Sequence, residues 1–422
     1  MNHLTKPSNY LIKMLLENKC VSNYARNKKT NHIVKILYNE IKTADGYIEQ
    51  LKKQKGLNFY NLKIREIISK KEIPKPKLFN SLSFPQGILN KIDNSINYDL
   101  LYSFSLFGRE INIYFLLENE IITQNDINIY NSYVDKIMVL LYIIKNYSFK
   151  KCSNKLTIYI YLTDLKKELP KTRIDVISSI NANTGFTYTC LPVNEIVIFR
   201  KEEWFKVLIH ETFHNFGLDF SSMNIELYNE KIKTIFKVNS EVNLYEAYTE
   251  TWAIILNCVF CSYFVNSTNS LEHIFHKTKY YDFVKRFDLF INLEISFGFL
   301  QIVKILNFMG LKYIQLYDND NDLENKRKIL YKESTNILAY FIIKEVLLNN
   351  YQGFLEWCSK NNFSLINFNK TNKTLEEFYV LIENNYKSTT MLNGIECFEL
   401  FLKNNKNNKL MKNLRLSVCE LE

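Results

Sequence analysis

A chain of 422 residues can bury a large core, and its 47% hydrophobic and 14% aromatic content excludes a disordered polypeptide. Ten glycines and six prolines are few for this length, which favours long helices over a turn-rich sandwich. The formal charge of +10 invites a nucleic-acid reading. However, the lysines gather in runs such as "NKKTNHIVK" and "FLKNNKNNKLMKNLR", which read as solvated faces or tails, with no zinc-finger spacing or RNP-like aromatics beside them. No specific nucleic-acid partner is therefore expected.

In chain order, residues 1–72 read as an N-terminal helical segment, because "SNYLIKMLLEN" and "NHIVKILYNEIKTADGYIEQLKKQ" place apolar residues three and four apart. Residues 73–79 form a Pro/Lys linker, since the two prolines of "IPKPK" remove backbone donors. Residues 80–265 form a mixed core. There "LYSFSLFGREINIYFLLENE" alternates around Gly108 as a hairpin, and a helix begins near Asn125 or Asp126. "KLTIYIYLTD", "NTGFTYTC" and "NEIVIFR" read as strands. Residues 266–402 read as a C-terminal helical subdomain, and 403–422 as a basic Asn/Lys tail that frays. Strands followed by helices give an α+β chain with a small mixed or antiparallel sheet.

The eight cysteines are scattered and the N-terminus has no apolar signal core, so a reducing intracellular compartment is expected. "CVFC" (Cys258 to Cys261) reads as two small core residues on an apolar helix. The apolar stretch from Phe290 to Leu311 carries Glu294 and Lys304, which argues for a buried helix and against a membrane span. Abundant Lys, Asn, Ile, Tyr and Phe point to an AT-rich genome.

The chemistry concentrates in "HETFH". On a helix, His210 and His214 project from one face and can offer two imidazole nitrogens to one ion, while Glu211 lies at the edge of that face, placed to act on a water. With only six histidines in the chain, two at this spacing around a glutamate is informative. Gly217 stands where a left-handed helix end would want it. A catalytic zinc needs a third protein ligand. The position six after His214 is Phe220, and Asp219 is one residue off, so the ligand is sought on a later helix. Glu246 and Glu250 lie four apart in "NSEVNLYEAYTETWAIILNCVF", a like-charge spacing that a metal ion and a histidine N–H would reward. Glu246 is read as the third ligand, Glu250 as the carboxylate orienting a histidine, and Glu241 as the reserve ligand. A helix cap at Asn243 and a solvated helix face are the competing readings of the two glutamates.

These residues resemble the gluzincins, HExxH zinc metallopeptidases with a downstream glutamate ligand, of which thermolysin-like enzymes are members. "HETFH" matches the first motif, and "EAYTE" (Glu246 to Glu250) is similar to the Glu-Ala-x-Ser/Thr-Asp stretch, with Glu in place of the usual Asp at position 250. "NTGFTYTC" followed by "NEIVIFRKEEWFKVLIHETFHNFGLDFS" also resembles an uncharacterised group of predicted metallopeptidases in large DNA viruses of eukaryotes. The resemblance implies a zincin-like core over residues 80–265, a Zn2+ cofactor, and a peptide or protein substrate. A viral origin would place the protein in the host cytoplasm or the virion.

On this reading Glu211 is the general base. His273, His276, Tyr248 and Tyr340 are candidates to stabilise the oxyanion, with Tyr340 favoured. Asn183 and Gly185 are candidate substrate-binding residues, because Gly185 would let a substrate backbone approach a strand edge. The competing functions are a non-catalytic zincin-like structural or protein-binding component and, further off, a basic nucleic-acid-binding protein.

Overall fold

The computed structural model describes residues 3–18, 20–21, 24–56, 59–119, 121–265, 279–405 and 409–422. Two helices, α1 (Lys6–Leu16) and α2 (Lys28–Lys55), come first, and α2 is capped by the Asn27 side chain and stopped at Gly56 with φ 64°. The edge strand β1 (Asn61–Glu66) and helix α3 (Ile88–Ser95) follow. Strands β2 (Tyr98–Leu106) and β3 (Arg109–Leu117) then form an antiparallel hairpin. Phe107 and Gly108, both at positive φ, make its two-residue turn, the geometry that matches strand twist. Helix α4 (Gln124–Lys145) starts at a capping box formed by Thr123 and Asp126. Strand β4 (Lys155–Tyr161), the single turn α5 (Ser179–Ala182), and strands β5 (Gly185–Thr187) and β6 (Val193–Ile198) complete the sheet.

The six strands lie in the order β1-β2-β3-β4-β6-β5. β4 pairs parallel with β3 and with β6, whereas β5 pairs antiparallel with β6 and forms an edge. The chain is thus α+β with a mixed sheet. One face of the sheet joins the main core. The other is covered by the segment after β1, where Ile73, Phe84, Ile88 and Ile92 pack on Tyr161 and Phe199. The "IPKPK" linker is docked here: the Pro74 carbonyl accepts from Tyr161 Oη, and the backbone N–H groups of Lys77 and Leu78 donate to Glu195.

Helix α6 (Trp204–Asn215) carries "HETFH", and every one of its residues is buried. It packs between β6, β5 and α8 (Leu244–Phe264), beyond the short α7 (Glu226–Ile235). Helix α9 (Tyr280–Met309) is, among the described residues, the one helix long and apolar enough to cross a membrane, but 94% of its most apolar window is buried in protein. Inside it, the Glu294 carboxylate accepts from Ser417 Oγ and from the N–H groups of Val418 and Cys419. The remaining helices are α10 (Asn321–Leu330), a π-helical stretch (Leu338–Ile343) running into α11 (Lys344–Asn349), α12 (Tyr351–Asn361), α13 (Asn372–Glu383) and α14 (Thr389–Asn404).

Three expectations change. The N-terminal segment is not helical to residue 72, because Asn61–Glu66 pairs with β2 as the edge strand β1. The last residues do not fray: Leu414, Arg415, Leu416 and Val418 are buried, and Arg415 pairs with Glu420. Only the stretch up to about residue 412 is basic. After it, "NLRLSVCELE" supplies apolar side chains that wedge against α9 and the start of α6. The scattered cysteines also conceal two disulfides, Cys20–Cys397 and Cys152–Cys190, so the inference from scatter to a reducing compartment loses its footing. Cys258 and Cys261 are free and buried, and burial pushes both thiols up, as two core residues would have it.

Candidate metal centre

Helix α6 begins at Glu203, which adopts a left-handed φ of 59°. Its buried carboxylate accepts from Lys167 Nζ at 2.9 Å and from the backbone N–H groups of Leu416 and Ser417. The helix ends at Gly217, whose φ of 63° and N–H to the His214 carbonyl (2.9 Å) close a left-handed cap. Leu218 N–H returns to the Phe213 carbonyl at 2.9 Å, and this turn carries Asp219 back under His214.

His210, His214 and Glu246 come together, and among the described residues they are the group of side chains able to share one ion. His210 Nε2 lies 3.1 Å from Glu246 Oε2 and 3.1 Å from His214 Nε2, and His214 Nε2 lies 3.3 Å from Glu246 Oε2. A tetrahedral ion with bonds of about 2.0–2.1 Å has ligand-to-ligand edges of about 3.3 Å, close to these separations. The other nitrogen of each imidazole is occupied. His210 Nδ1 sits 2.8 Å from Glu250 Oε2, and His214 Nδ1 meets Asp219 Oδ2. If both Nδ1 atoms carry the proton and donate it to these carboxylates, both Nε2 lone pairs point at the Glu246 carboxylate, and three acceptors converge with no proton between them. A proton on an imidazole or a metal ion would relieve that arrangement.

The electrostatics agree. Burial pushes the two imidazoles down, but Glu246 and Glu250 around His210, and Asp219 and Glu246 around His214, outweigh it and raise both. Burial also works against ionising Glu246, yet the two histidines pull its carboxyl down to about 2. The site holds a surplus of negative charge that either protons on the imidazoles or a metal ion would neutralise. Glu250 is tied on its far side: its Oε1 accepts from the buried Lys206 Nζ at 2.6 Å, so a chain of contacts runs from Lys206 through Glu250 to His210.

Glu211 is 6% exposed and makes no hydrogen bond or ion pair with any described residue. Burial raises its carboxyl pKa. It lines a small cavity with His210, Tyr340 and Asn183. Tyr340 stands on the π-helical stretch with its ring centroid 5.9 Å from that of His210. Burial and the nearby carboxylates hold its phenol well above its usual pKa, so it remains a donor.

Other expected residues fare differently. Tyr248 is buried away from the centre, bonded to the Ile366 carbonyl and to Asn362. Glu241 is exposed and outside the cluster, which leaves no role for a reserve ligand. His273 and His276 lie outside the described residues. Asn183 lines the cavity, but its Oδ1 accepts from Thr335 Oγ1 at 2.9 Å and its carbonyl accepts from Arg200. The space beside Gly185 is already filled. A Cβ there would lie 2.8 Å from the Val197 carbonyl oxygen, 3.0 Å from Val207 and 3.1 Å from Glu211, so the glycine seats α6 against the strand and is not a gap for substrate. Sequence reasoning set Asp219 aside as a misplaced ligand and passed over Lys206, although Lys206, His210 and His214 share one helical face at four-residue spacing.

An uncharacterised protein, R210, of Acanthamoeba polyphaga mimivirus is 24% identical to this chain over 319 residues, spanning 72% of the chain and 75% of the relative. The likeness supports an origin in a large DNA virus and says nothing of zinc or proteolysis. No family model and no solved structure matches the chain.

Proposed function

We propose that this protein is a zinc-dependent peptidase in which His210, His214 and Glu246 hold the ion and Glu211 is the general base. The observation that carries the reading is the convergence of three acceptor atoms within 3.1–3.3 Å while a buried carboxylate beside them, Glu211, has no hydrogen-bond partner among the described residues. Zinc, when bound, lowers the pKa of a coordinated water to about 7 and polarises a carbonyl. Glu211 accepts a proton and returns it to the leaving amine; its burial, which favours the protonated carboxyl, suits both halves of that task. Tyr340 Oη donates to the developing oxyanion. Strand β5 lies at the sheet edge, the place where an extended peptide would add as a further strand. Glu250 and Asp219 fix the imidazole tautomers, and Lys206 holds Glu250 in place.

The competing reading is a metal-stabilised structural component, consistent with how thoroughly the donors are enclosed. Metal analysis of purified protein beside its Glu211→Gln variant, with a proteome-derived peptide library as substrate, separates the two. One zinc per chain in both proteins and cleavage by the parent alone supports the peptidase. Zinc in both without cleavage favours the structural reading. Absence of zinc, with His210→Ala leaving stability untouched, overturns the metal centre.

A further inference from the structure

Beside Glu211, between β5 and α6, lies a cavity of about 30 Å³ walled by Ala182, Val207 and Leu416 and reached by Lys167, Lys206 and Thr184. That space holds a group the size of a water or a carboxylate. Its polar groups are lopsided. Apart from Glu211, the carboxylates around the cavity are engaged: Glu250 gives one oxygen to Lys206 and the other to His210, and Glu203 gives one to Lys167 and the other to two backbone N–H groups. The donors are not. Each buried ammonium has three N–H bonds, and Lys167 and Lys206 each spend one on a carboxylate among the described residues. The Thr184 hydroxyl, on a residue 3% exposed, has no hydrogen-bond partner among the described residues. Buried donors left open cost free energy unless something fills them.

We propose that this cavity is a carboxylate-binding subsite, so that the centre takes peptides bearing a negative charge next to the bond placed before Glu211. The inference rests on the peptidase reading for its meaning but on the donor imbalance for its existence. The carboxylate is that of an acidic side chain or of a free C-terminus, and both would receive hydrogen bonds from Lys167, Lys206 and Thr184.

The test is binding of three fluorescent peptide pools to the Glu211→Gln variant by anisotropy, with and without a zinc chelator. The first pool has a central Glu and an amidated C-terminus, the second a central Gln and an amidated C-terminus, and the third a central Gln and a free C-terminus. The proposal expects at least one carboxylate pool to bind about tenfold or more tightly than the neutral pool, the size of a charge-assisted hydrogen bond, and to do so equally with chelator present. Preference for the first pool assigns a side chain and for the third a terminus. Lys167→Met would leave Glu203 buried without its cation and so destabilise the fold itself, which makes Thr184→Val the informative variant. It should weaken binding of the preferred carboxylate pool by about threefold or more and leave the neutral pool unchanged, at an unchanged melting midpoint, because the two ammonium groups remain. Equal binding of all three pools overturns the subsite, as does a preference that disappears with chelator, since the carboxylate then sits on the metal. A preference that persists in protein found to bind no zinc keeps the subsite and rejects the peptidase.

Discussion

Asp219→Asn tests the centre at the residue where geometry and sequence spacing diverge most. Both Asp219 oxygens are committed: Oδ1 accepts from Ser221 N–H at 2.8 Å and Ser221 Oγ at 2.7 Å, and Oδ2 meets His214 Nδ1. An asparagine offers one acceptor and one NH2. If its oxygen stays with Ser221, the NH2 faces His214 Nδ1, which must give up its proton; the proton then moves to Nε2, the atom that faces Glu246. If the oxygen turns to His214 instead, the Ser221 N–H is orphaned, at a cost of about 1–3 kcal/mol in the loop that carries Asp219. The first arrangement weakens zinc binding by about 10–100-fold, the usual effect of losing the partner that orients a metal-bound histidine. The assay is a competition titration against a chromophoric chelator at neutral pH, paired with a denaturant melt of the zinc-free protein. Ser221→Ala, which leaves the carboxylate intact, should stay within about threefold of the parent in zinc affinity. An Asp219→Asn variant that keeps both parental affinity and parental stability refutes the argument that this carboxylate fixes the tautomer.

Three further outcomes follow from the same geometry. Gly185→Ala places a methyl group 2.8 Å from the Val197 carbonyl and 3.1 Å from Glu211 Cγ, so it should destabilise by about 1–3 kcal/mol in urea melts; a parental midpoint would mean that β5 does not pack this closely on α6. Tyr340→Phe should lower kcat by about 10²–10³ on any peptide the parent cleaves while zinc content is unchanged, and undiminished turnover removes Tyr340 from the oxyanion role. Burial pushes the Glu333 carboxyl up to about 7, against hydrogen bonds from Ser240, Tyr331 and the Ile337 and Leu338 N–H groups. Because its folded value lies above the unfolded one, its contribution to stability is full below about pH 4.5 and is lost as pH rises through about 7, by at most about 3 kcal/mol. Denaturant melts at pH 5 and pH 8 should therefore show a decline that Glu333→Gln reduces; an identical decline in the variant assigns it elsewhere.

What could be read from the sequence was local in origin. The turn at Phe107–Gly108 depends on a few adjacent residues and stands at the Gly108 break, while α4 starts at Gln124, just before the expected Asn125 or Asp126, because Thr123 and Asp126 form a capping box. The spacing of His210, His214, Glu246 and Glu250 likewise encodes which faces of α6 and α8 meet, because four-residue intervals on a helix fix direction. What escaped was produced by folding back over long distances. Leu416 reaches the cavity beside Glu211, and the Leu416 and Ser417 N–H groups cap Glu203 from more than 200 positions away, contacts that no periodicity announces.

Asp219 is the intermediate case and the most instructive. The search for a third ligand asked which residue could reach the ion, and by that criterion a carboxylate five residues after His214 is misplaced. Yet Gly217 at φ 63° reverses the chain immediately after the helix, and a residue two positions past such a reversal points back along the last turn, toward the far nitrogen of the histidine rather than the ion. The left-handed glycine and the acidic residue after it therefore belong to one device, and so do Lys206 and Glu250 at the other histidine. Each imidazole is gripped from behind by a carboxylate that is itself fully engaged, which leaves Glu211 as the one acid of the cluster with nothing to hold. A site built only to bind metal has no use for that last carboxylate, and its isolation next to an array of open donors is the strongest physical reason to look for turnover here.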